Sequence, residues 1–270
     1  MREYLDLVER VLTNGRHKKN RTGVDTISCF AEHYRVDLSK GYPLLTTKRV
    51  NFKSMLHEVL WYLSGEDHIR NLQQHTKIWN AWADEQGNLD TAYGRYWRRF
   101  PSAQVNPETG AYEVLEVDQI GRIIELLKTD PGSRRMVVTA WEPGNALNSK
   151  LPPCHYTFAF NVQGNALNCH LTQRSGDIAI GIPFNLACYA LLTQILAAEC
   201  GLEPGEFSHM IIDAHIYVNH VDGLREQLTR TPKPLPHLSI ARKPIDALTF
   251  DDFTLTGYVC DEPIKFDVAV

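Results

Sequence analysis

The stretch Phe184–Cys200, FNLACYALLTQILAAEC, is apolar on nearly every side and constrains the fold more than any other segment. A helix without a polar face belongs in the middle of a core. The longer apolar run it belongs to, residues 178 to 198, is interrupted by Pro183, Asn185, Thr193 and Gln194. It therefore reads as the central core helix and not as a membrane span.

Around it the hydrophobic pattern alternates irregularly between helical and strand periods. Tyr4, Leu5, Leu7, Val8, Val11 and Leu12 recur at helical spacing and Gly15 ends that helix. A second helix is expected over 52–63, with Phe52, Leu56, Val59, Leu60 and Leu63 as its stripe. A third, over 117–128, carries Val117, Ile120, Ile123, Ile124 and Leu127 and is closed by Asp130-Pro131. Residues 25–37, 135–141, 155–162, 167–172 and 207–218 read as strands. PSAQVNPETGAY, residues 101–112, reads as a loop. No repeat, low-complexity run or linker divides the chain, so residues 1–270 are expected to form one α+β domain with a mixed sheet.

The net charge of −4 argues against a nucleic-acid coat, which needs a basic face, but leaves room for a small anionic ligand gripped by local arginines. The six cysteines are scattered with no C-x-x-C pair, and MREYLDLVER is charged and amphipathic rather than a secretory leader. Free thiols in a reducing, cytoplasmic setting are the expectation.

Cys154, in LPPCHYTF, follows the rigid Pro152-Pro153 pair and precedes a β-like run, so its sulfur is expected at a fixed corner. A thiolate there would be a strong nucleophile if cations lie near; a lone cysteine can equally be a small core residue. Glu58 sits among Met55, Trp61 and Tyr62 at helical spacing, where partial desolvation would raise its pKa into a range useful for moving protons. A plain helix-surface glutamate is the alternative. Arg21 in NRTGVDT, Arg134 and Arg135 in GSRRMVV, and Arg174 with Ser175 in QRSGD pair guanidinium with hydroxyl near glycine, which suits phosphate. Solvated surface arginine is the simpler reading of each, and adjacent strand residues such as Arg134 and Arg135 need not share a target. Asn185 could cap the core helix or read a flat amide-like ligand such as uracil, since a carboxamide both donates and accepts. His215 and Tyr217 share one face of a strand and could hold a sugar hydroxyl. His215 and His220 have no recognisable metal spacing, and no P-loop, G-x-G-x-x-G or G-x-S-x-G motif occurs.

Taken in order, NRTGVDT, YPLLTTKR, HEVLWYL, IWNAWADEQG, AYGRYW, DPGSRRMVVTAW, LPPCH, QRSGDIAIGIPFNLACYALL, DAHIYVNH and the terminal VAV resemble the folate-dependent thymidylate synthase family nearly end to end. The resemblance implies helices packed on one face of the sheet and a homodimer formed through the other. It implies that Cys154 attacks C6 of dUMP and that 5,10-methylenetetrahydrofolate supplies the one-carbon unit and hydride, with no metal. Glu58 would organise water and protons, and Tyr93 would take part in proton removal at C5. Arg21, Arg174 and Ser175 would bind phosphate, Arg174 would help to keep Cys154 ionised, and Arg134 with Arg135 would reach the partner's site. Asn185 would select uracil, His215 and Tyr217 would hold the ribose, and His155 would shape the pocket. Asp177, Trp79, Trp82 and Ala269 would surround the folate, with the tail as a lid.

This chain departs from the usual family pattern at Asn51, where a histidine near the folate is common, at Tyr96 in place of a glutamine, and at Ile211-Ile212 in place of a glycine pair. Gly176 occupies a variable position of QRS-x-D. The rival readings are a dUMP hydroxymethylase, in which water captures the methylene intermediate, and a non-catalytic nucleotide- or RNA-binding protein. The second has no need of a nucleophile, and Asn185 argues against a cytosine-specific hydroxymethylase.

Overall fold

The computed structural model describes residues 1–147 and 149–268. In chain order the elements are α1 (Arg2–Asn14), β1 (Arg16–Lys18), β2 (Thr26–Asp37), α2 (Phe52–Ser64), α3 (Tyr93–Arg98), β3 (Phe100–Val105) and β4 (Tyr112–Val117). They continue with α4 (Gln119–Thr129), β5 (Val137–Thr139), α5 (Pro143–Ala146), β6 (His155–Gln163), β7 (Ala166–Asp177), α6 (Gly181–Cys200), β8 (Glu203–Tyr217), α7 (Val221–Leu228), β9 (His237–Ile240) and β10 (Phe253–Thr256).

The expected central helix is α6. Nearly all of its residues from Ile182 to Ala197 are buried, and Gly201, in the left-handed region at φ 72°, ends it. Thr193 satisfies its hydroxyl within the helix by donating to the Tyr189 carbonyl. The helix connects β7 to β8, which run parallel, so it is the crossover of a β-α-β unit. Every other ladder of the main sheet is antiparallel, in the order β1-β2-β8-β7-β6-β5. The sheet is mixed and the fold is α+β. Helices α1 and α6 pack on the same sheet face, and one continuous apolar core joins them. The opposite face carries His33, Thr172, Ser208 and Met210, half-buried, with Arg35 and His170 exposed.

Helix ends follow local chemistry. Asn51 starts α2 by accepting a hydrogen bond from the Ser54 amide, and Asp118 starts α4 by accepting from that of Gly121. The Asp118 cap puts the helix start at Gln119 and leaves Val117 in a strand. Of the expected loop 101–112, only residues 106–111 form a turn; 101–105 and 112 lie in the paired strands of a β3–β4 hairpin. Burial along its strands does not alternate, so no apolar period marked them. The strand expected over 135–141 is confined to Val137–Thr139.

The sheet bends beside the core helix. Along β8 the buried positions are 207, 209 and 211, then 214 and 216; along β7 they are 167, 169, 171 and 173, then 176. The alternation slips by one residue in both strands at the same level. Ala31, on the adjacent β2, holds a left-handed φ of 58° there. The slip turns the ends of β7 and β8 toward an open cleft.

Candidate active site

The cleft has a volume of 850 Å³ and lies between the ends of β7 and β8, the start of α6, and α2. Of the expected residues, Arg21, Glu58, Trp79, Trp82, Tyr93, Cys154, His155, Arg174, Ser175, Asp177, Asn185, His215 and Tyr217 all line it, drawn from segments far apart in the chain.

Cys154 stands where the proline pair turns into β6. Its amide donates to the Tyr93 hydroxyl oxygen at 2.7 Å, and its carbonyl accepts from the Arg174 amide at 2.8 Å. Arg174 reaches back across this corner. Its Nε donates to the Pro153 carbonyl at 2.9 Å and one terminal nitrogen to the Pro152 carbonyl at 2.6 Å; the same nitrogen lies 3.5 Å from the Cys154 sulfur. The forked guanidinium thus clamps the backbone and faces the thiol at once. Burial pushes the thiol above its ordinary pKa, while Arg174 and Arg21 pull it the other way without cancelling the effect.

Glu58 is buried on α2. One carboxylate oxygen accepts from Trp79 Nε1 at 2.6 Å and the other is 3.6 Å from the Cys188 sulfur. Burial raises its pKa, offset in part by hydrogen bonds from Trp79, Tyr62 and Cys188. Tyr93 stacks on His155 with centroids 3.7 Å apart. His155 bonds Tyr189 through Nδ1, and burial pushes its pKa down to about 3, so it is a neutral wall of the pocket.

At the other end, Asn185 lies at the start of α6. Its side-chain oxygen accepts from Gln173 Nε2 at 3.0 Å, and Gln173 also donates to the Ser175 carbonyl at 2.9 Å. Asp177 receives the amides of Ala179 and Ile180, which fixes the turn into the helix. His215 and Tyr217 meet edge to face, 5.3 Å between centroids. Trp79 and Trp82, 5.7 Å apart, form an aromatic wall with Ile78, Ile180 and Phe184 nearby, a surface suited to a flat heteroaromatic group.

Other expected residues lie elsewhere. Asn51 is an exposed helix cap outside the cleft lining. Arg134 and Arg135 are exposed, and neither guanidinium has a partner among the described residues. Ala269 falls outside the described residues. Tyr96 is buried in α3 and accepts from the Asn145 side-chain amide at 2.8 Å. The described tail reaches the cleft at Val268. Behind it Asp267 O accepts from His220 Nε2 at 2.7 Å, and Phe266 packs against His220 and lies 4.7 Å below the Lys48 ammonium. Among the described residues no group of His, Cys, Asp and Glu side chains is arranged for a metal.

Sequence reasoning passed over Gln173, Lys18 and Asp213, all of which line the cleft. Lys18 and Asp213 form an ion pair on its rim, and Ser28 donates to the same carboxylate at 2.5 Å. Gln173 had a readable signal, since it is a polar residue in the apolar phase of a strand.

Gly176 and Ile211, two of the departures, prove to be neighbours. A Cβ on Gly176 would lie 2.8 Å from Ile211 Cγ2 and 2.7 Å from Ile182 Cδ1. The bulk missing on one strand is supplied from the next.

Comparison with known proteins agrees over the whole chain. The model of the family described as thymidylate synthase matches residues 2–270. A protein of Haloferax volcanii named thymidylate synthase is 44% identical, covering 98% of this chain and 95% of its own length.

Proposed function

The chain belongs to the thymidylate synthase family, and from that premise we propose that it converts dUMP to dTMP by attack of Cys154 on C6 of the uracil ring. Its activity is thymidylate synthesis, a methyl transfer in pyrimidine and folate metabolism. The observation that carries the residue assignment is a cleft in which a cysteine faces an arginine at 3.5 Å and whose lining also includes a carboxamide and a buried glutamate.

Attack forms a bond between the sulfur and C6, and the electron pair of the C5–C6 double bond moves toward C5 and O4. Arg174 favours the thiolate required for this step and, with Arg21 and Ser175, forms the phosphate seat. Asn185 meets the uracil edge, while His215 and Tyr217 face the sugar. Glu58, whose pKa burial raises, orders water and moves protons near O4. Tyr93, hydrogen-bonded to the nucleophile's own amide, is positioned for proton transfer at C5.

The tryptophan wall, Ile180 and Phe184 fit 5,10-methylenetetrahydrofolate, and Asp177 supplies a polar partner beside them. When bound, this co-substrate supplies the one-carbon unit and the hydride, leaving as dihydrofolate. The tail at Val268 would exclude water from the reacting carbon, with Ala269 beyond it.

Homodimerisation through the open sheet face is part of the proposal, with Arg134 and Arg135 serving the partner's phosphate site. Their exposure without partners supports it, as does the half-buried character of that face. The enzyme is placed in the cytoplasm.

Incubation with 5-fluoro-dUMP and methylenetetrahydrofolate tests the core of this reading. A ternary covalent adduct on Cys154, seen by intact mass, is expected, and its absence from an enzyme that binds dUMP would refute the mechanism. With dUMP itself, tetrahydrofolate and hydroxymethyl-dUMP in place of dihydrofolate and dTMP would reveal a hydroxymethylase.

A further inference from the structure

Behind Asn185 lies a chain of buried polar groups that no apolar core requires. The Tyr34 hydroxyl is 2.8 Å from His209 Nδ1, and His209 Nε2 is 3.0 Å from Gln173 Oε1. Gln173 Nε2 in turn reaches Asn185 Oδ1 at 3.0 Å and the Ser175 carbonyl at 2.9 Å. These residues sit on β2, β8, β7 and α6, so the chain crosses three adjacent strands before it reaches the cleft. His209 has no solvent exposure and Gln173 is 2% exposed.

The direction of every bond follows from one group. The Ser175 carbonyl can only accept, so the nitrogen end of the Gln173 amide must face it. The same nitrogen donates to Asn185, which turns the Asn185 oxygen toward Gln173. The oxygen end of Gln173 then faces His209, so His209 Nε2 must carry hydrogen. Its Nδ1 is left as a lone pair that accepts from the Tyr34 hydroxyl. Burial pushes the His209 pKa well below its ordinary value, and neighbouring histidines add to this, in keeping with a neutral ring.

We propose that His209, held in its Nε2–H tautomer by Tyr34, is a specificity-positioning residue that locks the Asn185 amide in the orientation that reads uracil. A free carboxamide can flip. With its oxygen and nitrogen exchanged, it presents the complement of cytosine as readily as that of uracil. The relay makes the flipped form costly: it would set two amide nitrogens face to face between Gln173 and Asn185 or, if Gln173 flipped with it, bring the Gln173 oxygen against the Ser175 carbonyl. Discrimination at ring position 4 then depends on residues that never touch the nucleotide. This inference rests on the dUMP reading above.

The test compares binding of dUMP and dCMP, and kcat/KM for dUMP, in wild type, His209→Phe, Tyr34→Phe and the control Phe207→Leu. His209→Phe is expected to reduce the dUMP preference about tenfold or more, Tyr34→Phe a few-fold, and the control not at all. A preference unchanged in a folded His209→Phe or Tyr34→Phe enzyme would overturn the relay. Wild type that binds neither nucleotide would instead overturn the functional reading. Nitrogen-15 NMR of the wild-type imidazole gives a result independent of variant folding: the Nε2–H tautomer at pH 7 is expected, and Nδ1–H would refute the proposal whichever nucleotide binds.

Discussion

Replacing Gly176 with alanine tests whether the strand slip beside the active site depends on a missing side chain. The new methyl would meet Ile211 Cγ2 at 2.8 Å and Ile182 Cδ1 at 2.7 Å, both closer than real carbon contacts allow. The two obstacles differ in kind. Ile182 Cδ1 is the free end of a flexible side chain and can rotate away. Ile211 Cγ2 is a β-branch fixed close to the backbone of a fully buried strand residue, so relief requires β7 and β8 to part by a few tenths of an ångström. Overpacking of this kind costs about 1–3 kcal/mol. At about 2 kcal/mol the unfolding equilibrium changes about thirtyfold, and the melting temperature of a chain this size falls by roughly 4–8 °C. Ile211→Ala alone leaves a cavity and costs about 2–5 kcal/mol. In the double variant the alanine methyl occupies part of that cavity, so the two losses should fall short of their sum by about 1–2 kcal/mol. Ile211→Val keeps the branch at Cβ and should not rescue. Urea unfolding at fixed protein concentration measures all of these values. Additivity within about 0.5 kcal/mol, or rescue by Ile211→Val, would refute the steric argument. Because Ser175 and Asp177 flank the position, KM for dUMP should rise in Gly176→Ala and recover in the double variant.

Other outcomes follow from the same geometry. Glu58→Gln should lower kcat by about 10²–10⁴-fold. Its stability relative to wild type should rise with pH: the folded state holds the Glu58 proton more tightly than the unfolded chain, so wild type loses stability as pH climbs from the ordinary glutamate pKa through the raised one. A stability gap flat across that window would refute the assignment. Arg174→Lys gives up the fork to Pro152 and Pro153 and some of the positive charge density at the sulfur, so the pH midpoint for Cys154 alkylation by iodoacetamide should move upward; a downward move would contradict the clamp. Gly223→Ala places a methyl 2.7 Å from Phe266 Cε1 and 3.0 Å from Ile264 Cγ2, which should loosen the tail. KM for the folate is expected to rise several-fold with little change for dUMP, and carboxypeptidase should trim the tail faster; equal changes in both KM values would argue for a general structural defect.

Much of this protein is legible in one dimension because the cues are local. The core helix declares itself by having no polar face, and α1 and α2 by their apolar stripes. Motif order carried the family, and with it the residues that line the cleft. Three-dimensional packing alone decided the remainder. Burial along the β3–β4 hairpin does not alternate, so its strands have no period to read. The slip of the sheet at Ile211 and Gly176 joins residues on different strands, so neither substitution can be interpreted without the other. Burial, which a sequence reports only as an average of neighbours, raises the Cys154 thiol against its two arginines and keeps His155 and His209 neutral. Hydrogen-bond direction between Tyr34 and Asn185 comes from a backbone carbonyl at Ser175 and no side-chain pattern could encode it. Residue identity along the chain sets which groups can react; the tertiary structure sets their protonation, orientation and distance, because those depend on neighbours distant in sequence.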